Sequence, residues 1–179
     1  MVSLTFFFLF FVVIFAIIGA MRGWAREILV MFAFILGMFI ISVLERYVAI
    51  VRDSFAQPGS LAQFWLRFII LVLLIFFGYQ TPNLPKIGGA RFAREKLQDA
   101  LLGLFIGALN GYLIIGTLWY YMYEAGYPFK NFITEPVPGT TMGEAALRLM
   151  ALLPPKWLGI PAVYFAVAVA FLFVIVVFI

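Results

Sequence analysis

The chain alternates between long uncharged runs and short segments that carry its charges. Asp, Glu, Lys and Arg are absent from five stretches, namely Met1 to Met21, Ile28 to Leu44, Phe68 to Pro85, Ala100 to Tyr123 and Trp157 to Ile179. Each approaches or exceeds the roughly 20 apolar residues that a helix needs to cross the hydrocarbon core of a bilayer. The pattern predicts an all-α polytopic membrane protein with four or five membrane-spanning helices.

The first and last uncharged runs predict the first and fifth membrane-spanning helices. We expect the first span at Leu4 to Ala20. It does not resemble a cleavable signal peptide, because no basic residue precedes it and Ile18-Gly19-Ala20 is a weak cleavage site. The fifth run, from about Pro161, is rich in Val, Ala and Phe, but a lone uninterrupted run favours a helix over a strand. We therefore expect a four-span domain over residues 1–155 and an additional C-terminal transmembrane helix over residues 156–179.

Composition narrows the classes of function. Hydrophobic residues make up 66% and charged residues 11% of the chain, against about 45–50% and about 25% in soluble domains. The net charge of +4 lies in short segments, which suits contact with a lipid bilayer, and no basic stripe indicates nucleic acid. With no Cys and no His, disulfides, thiolate ligands and axial His ligation are excluded, and we expect no cofactor and no metal site.

The basic residues predict the orientation. If the N-terminus is outside, the cytoplasmic and outer segments carry six basic residues each, but the cytoplasmic six lie in shorter segments close to the span ends, where the positive-inside bias acts. The cytoplasmic set is Arg22, Arg26, Lys86, Arg91, Arg94 and Lys96, and the outer set is Arg46, Arg52, Arg67, Lys130, Arg148 and Lys156. We expect the N-terminus outside.

A tight hinge separates the first two spans, with the sequence Arg22-Gly23-Trp24-Ala25-Arg26-Glu27. Gly23 permits the turn, and Trp24 suits the membrane interface. We interpret the hinge as a positive-inside anchor with a paired charge, with contact to a partner as the alternative. Arg22 and Arg26 can reach lipid headgroups, and we expect Glu27 in the first turn of the second helix, where the macrodipole favours an anion.

The fourth span carries a stripe of small residues. Asp99, Gly103, Gly107 and Gly111 follow one another at four-residue steps, which place them on one helix face where another helix can approach closely. Asn110 lies beside the stripe, where an amide usually hydrogen-bonds to a neighbouring helix, although contact with a ligand or solute stays open.

Two short amphipathic helices flank the fourth span. Thr141 and Glu144 have capping-box spacing, and we expect an apolar helix with Leu147, Met150, Leu152 and Leu153 to lie flat on the outer interface until Pro154-Pro155 stops it. A second candidate, residues 90–98 with Arg91, Arg94, Glu95 and Lys96, is expected to run into the fourth span after the Gly88-Gly89 break.

The order of these features resembles the colicin V production protein family of bacterial inner membrane proteins. The resemblance rests on Arg-Gly-x-x-Arg-Glu at residues 22–27, on the Asp99 to Gly111 stripe and on the trailing helix that ends in Pro, and it covers roughly residues 1–155. It implies a four-span domain with both of that domain's termini outside and links to toxin production and envelope maintenance. The chain departs from the family at Asn110, where a basic residue is frequent, and in its fifth span.

Among possible functions, these features favour a non-enzymatic scaffold or accessory subunit. Such a subunit would pack against other membrane proteins, or against a second copy of itself, through the glycine stripe and aromatic surface.

A small transporter or channel component for export is the alternative. It is weaker because no Asp, Glu or Lys interrupts a span interior and Pro82 and Pro85 fall at a span end. An intramembrane enzyme is disfavoured. Ser42 lies beside Glu45 and Arg46 without a His or Lys base, and the scattered carboxylates show no paired metal-ligand spacing.

Overall fold

The computed structural model describes residues 4–55, 57–80, 93–129, 133 and 135–178. All regular structure in these ranges is helical, which confirms the all-α prediction. The helices are α1 (Leu4–Arg22), α2 (Trp24–Tyr47), α3 (Ala49–Ser54), α4 (Leu61–Tyr79), α5 (Ala93–Glu124), α6 (Thr141–Met150), α7 (Pro154–Trp157) and α8 (Ala162–Phe178).

Four of these helices are long and apolar enough to cross a membrane, namely α1, α2, α4 and α5. The C-terminal part is less simple than one straight span. Helix α8 begins at Ala162, close to the expected start, but has only 17 residues. Only together with the segment Thr141–Trp157, from which it is bent by 61°, is it long and apolar enough to cross a membrane. The C-terminal region is therefore a bent helix pair, interrupted around Gly159 and Pro161 because neither residue favours a continuous helix, and the additional straight C-terminal span stays a prediction.

Helices α2 and α5 form the centre of the bundle. Helix α5 contacts α1, α2, α4 and α7, whereas α2 contacts α4, α5 and α8. Their shared core includes Val30 and Phe34 of α2, Leu71 of α4 and Leu113 of α5, each at most 4% exposed. Between helices in lipid, such packing stabilises mainly through close van der Waals contact, because lipid tails are as apolar as the core.

Successive long helices run in opposite directions, so their termini lie at two ends of the bundle. At the first, which we call the hinge end, α1 stops at Arg22 and α2 starts at Trp24, with Gly23 between them at φ 86°. This left-handed backbone conformation favours glycine. At the other, the cavity end, α2 stops at Tyr47, α4 starts at Leu61 and α5 stops at Glu124.

The structure corrects two details of the segment after α5. Thr140, and not Thr141, caps α6, because its Oγ1 accepts a hydrogen bond from the Gly143 N–H at 3.0 Å, while Glu144 accepts from the N–H of Gly139. The prolines also do not end this helix. Helix α6 stops at Met150, and Pro154 begins the single-turn α7, since proline is well tolerated in the first turn.

The cap assignment predicts a difference between two adjacent threonines. Thr140→Ala should destabilise α6 by about 1 kcal/mol because the Gly143 N–H loses its acceptor. Hydrogen exchange at the Gly143 amide should accelerate accordingly. Thr141→Ala, the matched control one residue on, should leave that exchange rate unchanged, and equal acceleration in both variants would show that the cap is misassigned.

Candidate functional site

Helices α1 and α5 approach each other at backbone contact along the glycine stripe. A Cβ at Gly107 would collide with the Phe15 carbonyl oxygen and lie 2.9 Å from the Gly19 Cα. A Cβ at Gly103 would collide with the Gly19 carbonyl oxygen, and one at Gly111 would lie 2.9 Å from the Val12 Cα. No side chain fits at these three positions without moving a helix backbone.

Helix α1 of the same chain therefore covers the glycine stripe. The stripe was expected to serve other subunits or a second copy, but α1 covers it, so self-association through these glycines would require displacing α1. Gly19 was missed as the opposing residue. The sequence could have indicated Gly19, because it is a small residue in a span otherwise rich in Phe, Ile and Val.

A buried polar centre lies at the hinge end. The Glu27 side chain is fully buried, and its Oε1 is 2.7 Å from Arg22 Nη1. Asn110 of α5 is also fully buried, and its Nδ2 donates to both the Glu27 carbonyl oxygen and Oε2 at 2.9 Å. Arg22 further donates to the Tyr79 carbonyl oxygen at 3.2 Å and lies 4.4 Å from that tyrosine's ring centroid. Side chains from four helices thus converge on one ion pair.

This centre changes the interpretation of Arg22. The residue was expected to extend towards lipid headgroups, but its side chain is only 18% exposed and turns inward to neutralise Glu27. Burying a carboxylate is costly unless it is paired and hydrogen-bonded, which explains the direction that Arg22 takes. Asn110 Oδ1 has no hydrogen-bond partner among the described residues, so its amide is engaged through nitrogen alone.

The remaining predicted hinge residues surround this centre. Asp99 accepts a hydrogen bond from the Trp24 N–H at 3.3 Å, linking the start of α5 to the start of α2. Trp24 is 38% exposed and borders a shallow recess with Glu95 and Asp99. Arg26 is half-buried. Arg91 lies outside the described residues, and only the backbone of Arg94 is described, within α5.

A second ionic cluster occupies the cavity end. Arg67 of α4 forms a two-point ion pair with Glu45 of α2, at 2.6 Å from Nε and 2.9 Å from Nη2, and contacts Glu124 of α5 at 2.5 Å. Gln63 donates to Glu45 at 3.3 Å, and the Arg67 guanidinium lies 4.9 Å from the Tyr121 ring centroid. One arginine therefore joins the ends of three helices.

A cavity of about 560 Å³ opens beside this cluster. Its charged lining comes from α2, α3, α4 and α5, and its apolar wall includes the turn that leads from α7 into α8. The lining residues are Met38, Ser42, Glu45, Arg46, Arg52, Arg67, Tyr120, Tyr121, Glu124, Pro155, Leu158, Gly159 and Ile160. The volume falls within the range of about 300–1,000 Å³ that is common for small-molecule sites.

Two titratable groups near this end have shifted pKa values. A hydrogen bond from Arg52 at 2.8 Å lowers the pKa of the exposed Asp53 carboxyl below its ordinary value. Burial raises the pKa of the Tyr127 hydroxyl, which accepts a hydrogen bond from the Trp119 indole at 3.3 Å. Asp53 therefore stays ionised, and Tyr127 neutral, at physiological pH.

Sequence reasoning missed the cluster at the cavity end. Arg67 was counted only among the outer basic residues, and the carboxylates were considered only as metal ligands without paired spacing. The order and direction of the helices could have indicated this cluster. In an alternating bundle the end of α2, the start of α4 and the end of α5 meet, so single charges at those positions neutralise one another. Among the described residues, no group of three carboxylates is placed to hold a metal ion.

Comparison with known proteins identifies a family for this helical architecture. Neither the curated proteins nor the solved structures contain a match to the chain. Residues 4–136, which include α1 to α5, match the family described as colicin V production protein. The matched region is well over half of the chain and contains the hinge, the glycine stripe and both ionic clusters. The chain therefore belongs to the colicin V production protein family of membrane proteins.

Proposed function

We propose that this protein is a non-enzymatic accessory subunit of a bacterial inner-membrane assembly that serves toxin production or envelope maintenance, with its N-terminus outside. The observation that carries the proposal is how the buried charges are used. Glu27 is paired with Arg22, and Glu45 and Glu124 both pair with Arg67. Each pair joins different helices or the two sides of the hinge.

Charges used in this way favour a scaffold over an enzyme. A catalytic acid, base or nucleophile must present a reactive group to a substrate. Here the most buried carboxylate, Glu27, contacts Arg22 and Asn110, and the glycine-packed α1 closes the same side of the bundle. These contacts hold helices in fixed positions. Because α1 covers the glycine stripe, a partner subunit would contact the outer helix surfaces or the cavity end.

Purification in mild detergent tests this proposal. The tagged protein, expressed at its natural level, should elute as a complex with a stoichiometric membrane partner, identified by mass spectrometry and sized by native mass measurement. The matched control is an unrelated multi-span protein with the same tag, which should not recover that partner. A monodisperse monomer or homo-oligomer in several mild detergents would overturn the accessory role.

A transport function is the second candidate, because ionisable groups do lie inside the bundle. Glu27 is fully buried at the hinge end and Arg67 is largely buried at the cavity end. An apolar layer with Val30, Phe34 and Leu113 lies between these clusters and opposes the passage of ions. Solute or proton flux in vesicles that contain only the purified protein would favour transport over the accessory role.

A further inference from the structure

We propose that helices α6 to α8 act as a binding partner within the same chain and occupy a docking surface of the family-matched region, residues 4–136. This docking surface is formed by Phe32 and Phe39 of α2 and by Tyr112, Gly116 and Tyr120 of α5. The partner that it fits is a single membrane helix preceded by a Leu-Pro-Pro turn with an adjacent lysine. The inference goes beyond the accessory role and does not depend on it.

The family-matched region is held together by contacts that do not involve α6 to α8. The match ends at residue 136, before α6 begins at Thr141. The glycine stripe joins α1 to α5, the buried centre at Glu27 joins α1, α2, α4 and α5, and the Arg67 cluster joins α2, α4 and α5. Helices α6 to α8 can therefore leave the docking surface without breaking any of these contacts.

The turn around α7 fits a notch in the α5 surface. Leu153 and Pro154 are fully buried, and a Cβ at Gly116 would lie 3.1 Å from a side-chain atom of each. That distance is tighter than an ordinary contact, so a side chain at Gly116 would push the turn away from α5. The notch exists because position 116 is a glycine, and it accepts the Leu-Pro step of the turn.

Directional contacts fix the turn on both sides of this notch. The Trp157 indole N–H donates to the Tyr112 hydroxyl at 3.2 Å, and that hydroxyl donates to the Leu152 carbonyl oxygen. Lys156 Nζ lies 5.3 Å from the Tyr120 ring centroid, where the face of the ring attracts a cation. Because lipid tails are as apolar as a protein surface, apolar contact alone does not select a partner in the membrane, whereas these contacts do.

Helix α8 lies against α2 by one face. Its buried residues follow one another at steps of four and three, which place them on the same side of the helix. They are Val163, Val167 and Ala170. Two edge-to-face ring pairs complete the contact, since Phe39 lies 5.7 Å from Tyr164 and Phe32 lies 5.4 Å from Phe173, measured between ring centroids. The docking surface therefore accepts a helix with a small or β-branched stripe and flanking aromatic rings.

The presence of α6 to α8 on this surface restricts any external partner. While these helices are in place, another subunit must contact different faces of the bundle. A helix of another protein with the same turn and the same stripe could reach α2 and α5 only by displacing them. The docking surface is thus a point of competition between the chain's own C-terminal helices and a partner of matching chemistry.

The test cuts the full-length protein after it has folded in mild detergent. A protease recognition sequence is inserted between Val137 and Pro138, which are both exposed, and the N-terminal fragment is captured by its tag. The fragment with α6 to α8 should remain bound after the cut. It should also exchange with an added, differently tagged copy of residues 138–179, because a bound partner can leave and return whereas an inseparable part of the bundle cannot.

Two variants locate the contact on α5. Tyr112→Phe should weaken fragment binding about tenfold, because two hydrogen bonds are lost while the ring stays in place. Gly116→Leu fills the notch and should release the fragment more completely. Tyr123→Phe removes the hydroxyl of an exposed tyrosine on the same helix and is the matched control, which should bind the fragment like the wild type. Titration of the added fragment measures all three.

Three outcomes would overturn the proposal. The first is loss of the fragment from the cut wild type while the N-terminal fragment keeps its helical circular dichroism. The second is a bound fragment that does not exchange at all, and the third is equal binding by Tyr112→Phe and Tyr123→Phe. Because this experiment measures association between two parts of one chain, its failure is separate from a failure to find an external subunit.

Discussion

Replacing Arg22 with Met should lower the free energy of unfolding by about 3–5 kcal/mol, because it leaves the fully buried Glu27 carboxylate without its counter-ion. The Asn110 amide would remain hydrogen-bonded to Glu27, but a neutral amide cannot neutralise its charge. Denaturant unfolding in detergent, followed by tryptophan fluorescence, measures the loss.

A second substitution separates the charge from the loss of the arginine side chain. Adding Glu27→Gln to Arg22→Met removes the stranded charge while keeping a side-chain oxygen that can accept from Asn110, so much of the lost stability should return. Arg52→Met is the matched control. It breaks an exposed, solvent-screened ion pair and should leave the free energy of unfolding unchanged within experimental error. A double variant that is less stable than Arg22→Met would contradict this account of the hinge.

Adding one methyl group at Gly107 should separate α1 from α5. The new Cβ of Gly107→Ala would collide with the Phe15 carbonyl oxygen and lie 2.9 Å from the Gly19 Cα, and a backbone atom cannot rotate aside as a side chain does. We expect a loss of about 1–3 kcal/mol from overpacking, and Gly107→Leu should be worse. The melting temperature in detergent measures both variants.

Gly159→Ala provides the control for this substitution. A Cβ at Gly159 would have its nearest neighbour, the Pro155 carbonyl oxygen, at 3.5 Å, which is an ordinary contact. This variant should melt within experimental error of the wild type. If Gly107→Ala also melts like the wild type, the two helices are not in the backbone contact that the structure shows.

Much of the fold was predictable because membrane-spanning helices leave a direct signal. The first four of the five uncharged runs correspond to α1, α2, α4 and α5. The cap of α6 was misplaced by one residue because Thr140 and Thr141 are adjacent and both precede acceptable helix positions. Residue type alone does not distinguish them, whereas the backbone conformation does.

The candidate sites were predictable only in part. A four-residue spacing identifies Gly103, Gly107 and Gly111 as a close-packing surface, but it contains no information about which helix packs there. The inward turn of Arg22 was missed for a similar reason. Its sequence neighbours suggest a membrane anchor, whereas α4 brings Tyr79 and α5 brings Asn110 to the Arg22–Glu27 pair.

By itself the sequence determined that this chain is an α-helical membrane protein, that it has no Cys or His chemistry, and to which family it belongs. These properties depend on composition, on uncharged runs and on short motifs, all of which are local. The tertiary structure alone decided that α1 occupies the glycine stripe, that Asn110 and Tyr79 meet the Arg22–Glu27 pair, and that Arg67 joins Glu45 to Glu124 beside a cavity. The physical reason is that ion pairs and backbone contacts between helices depend on distances between residues far apart in the chain, which no local pattern records.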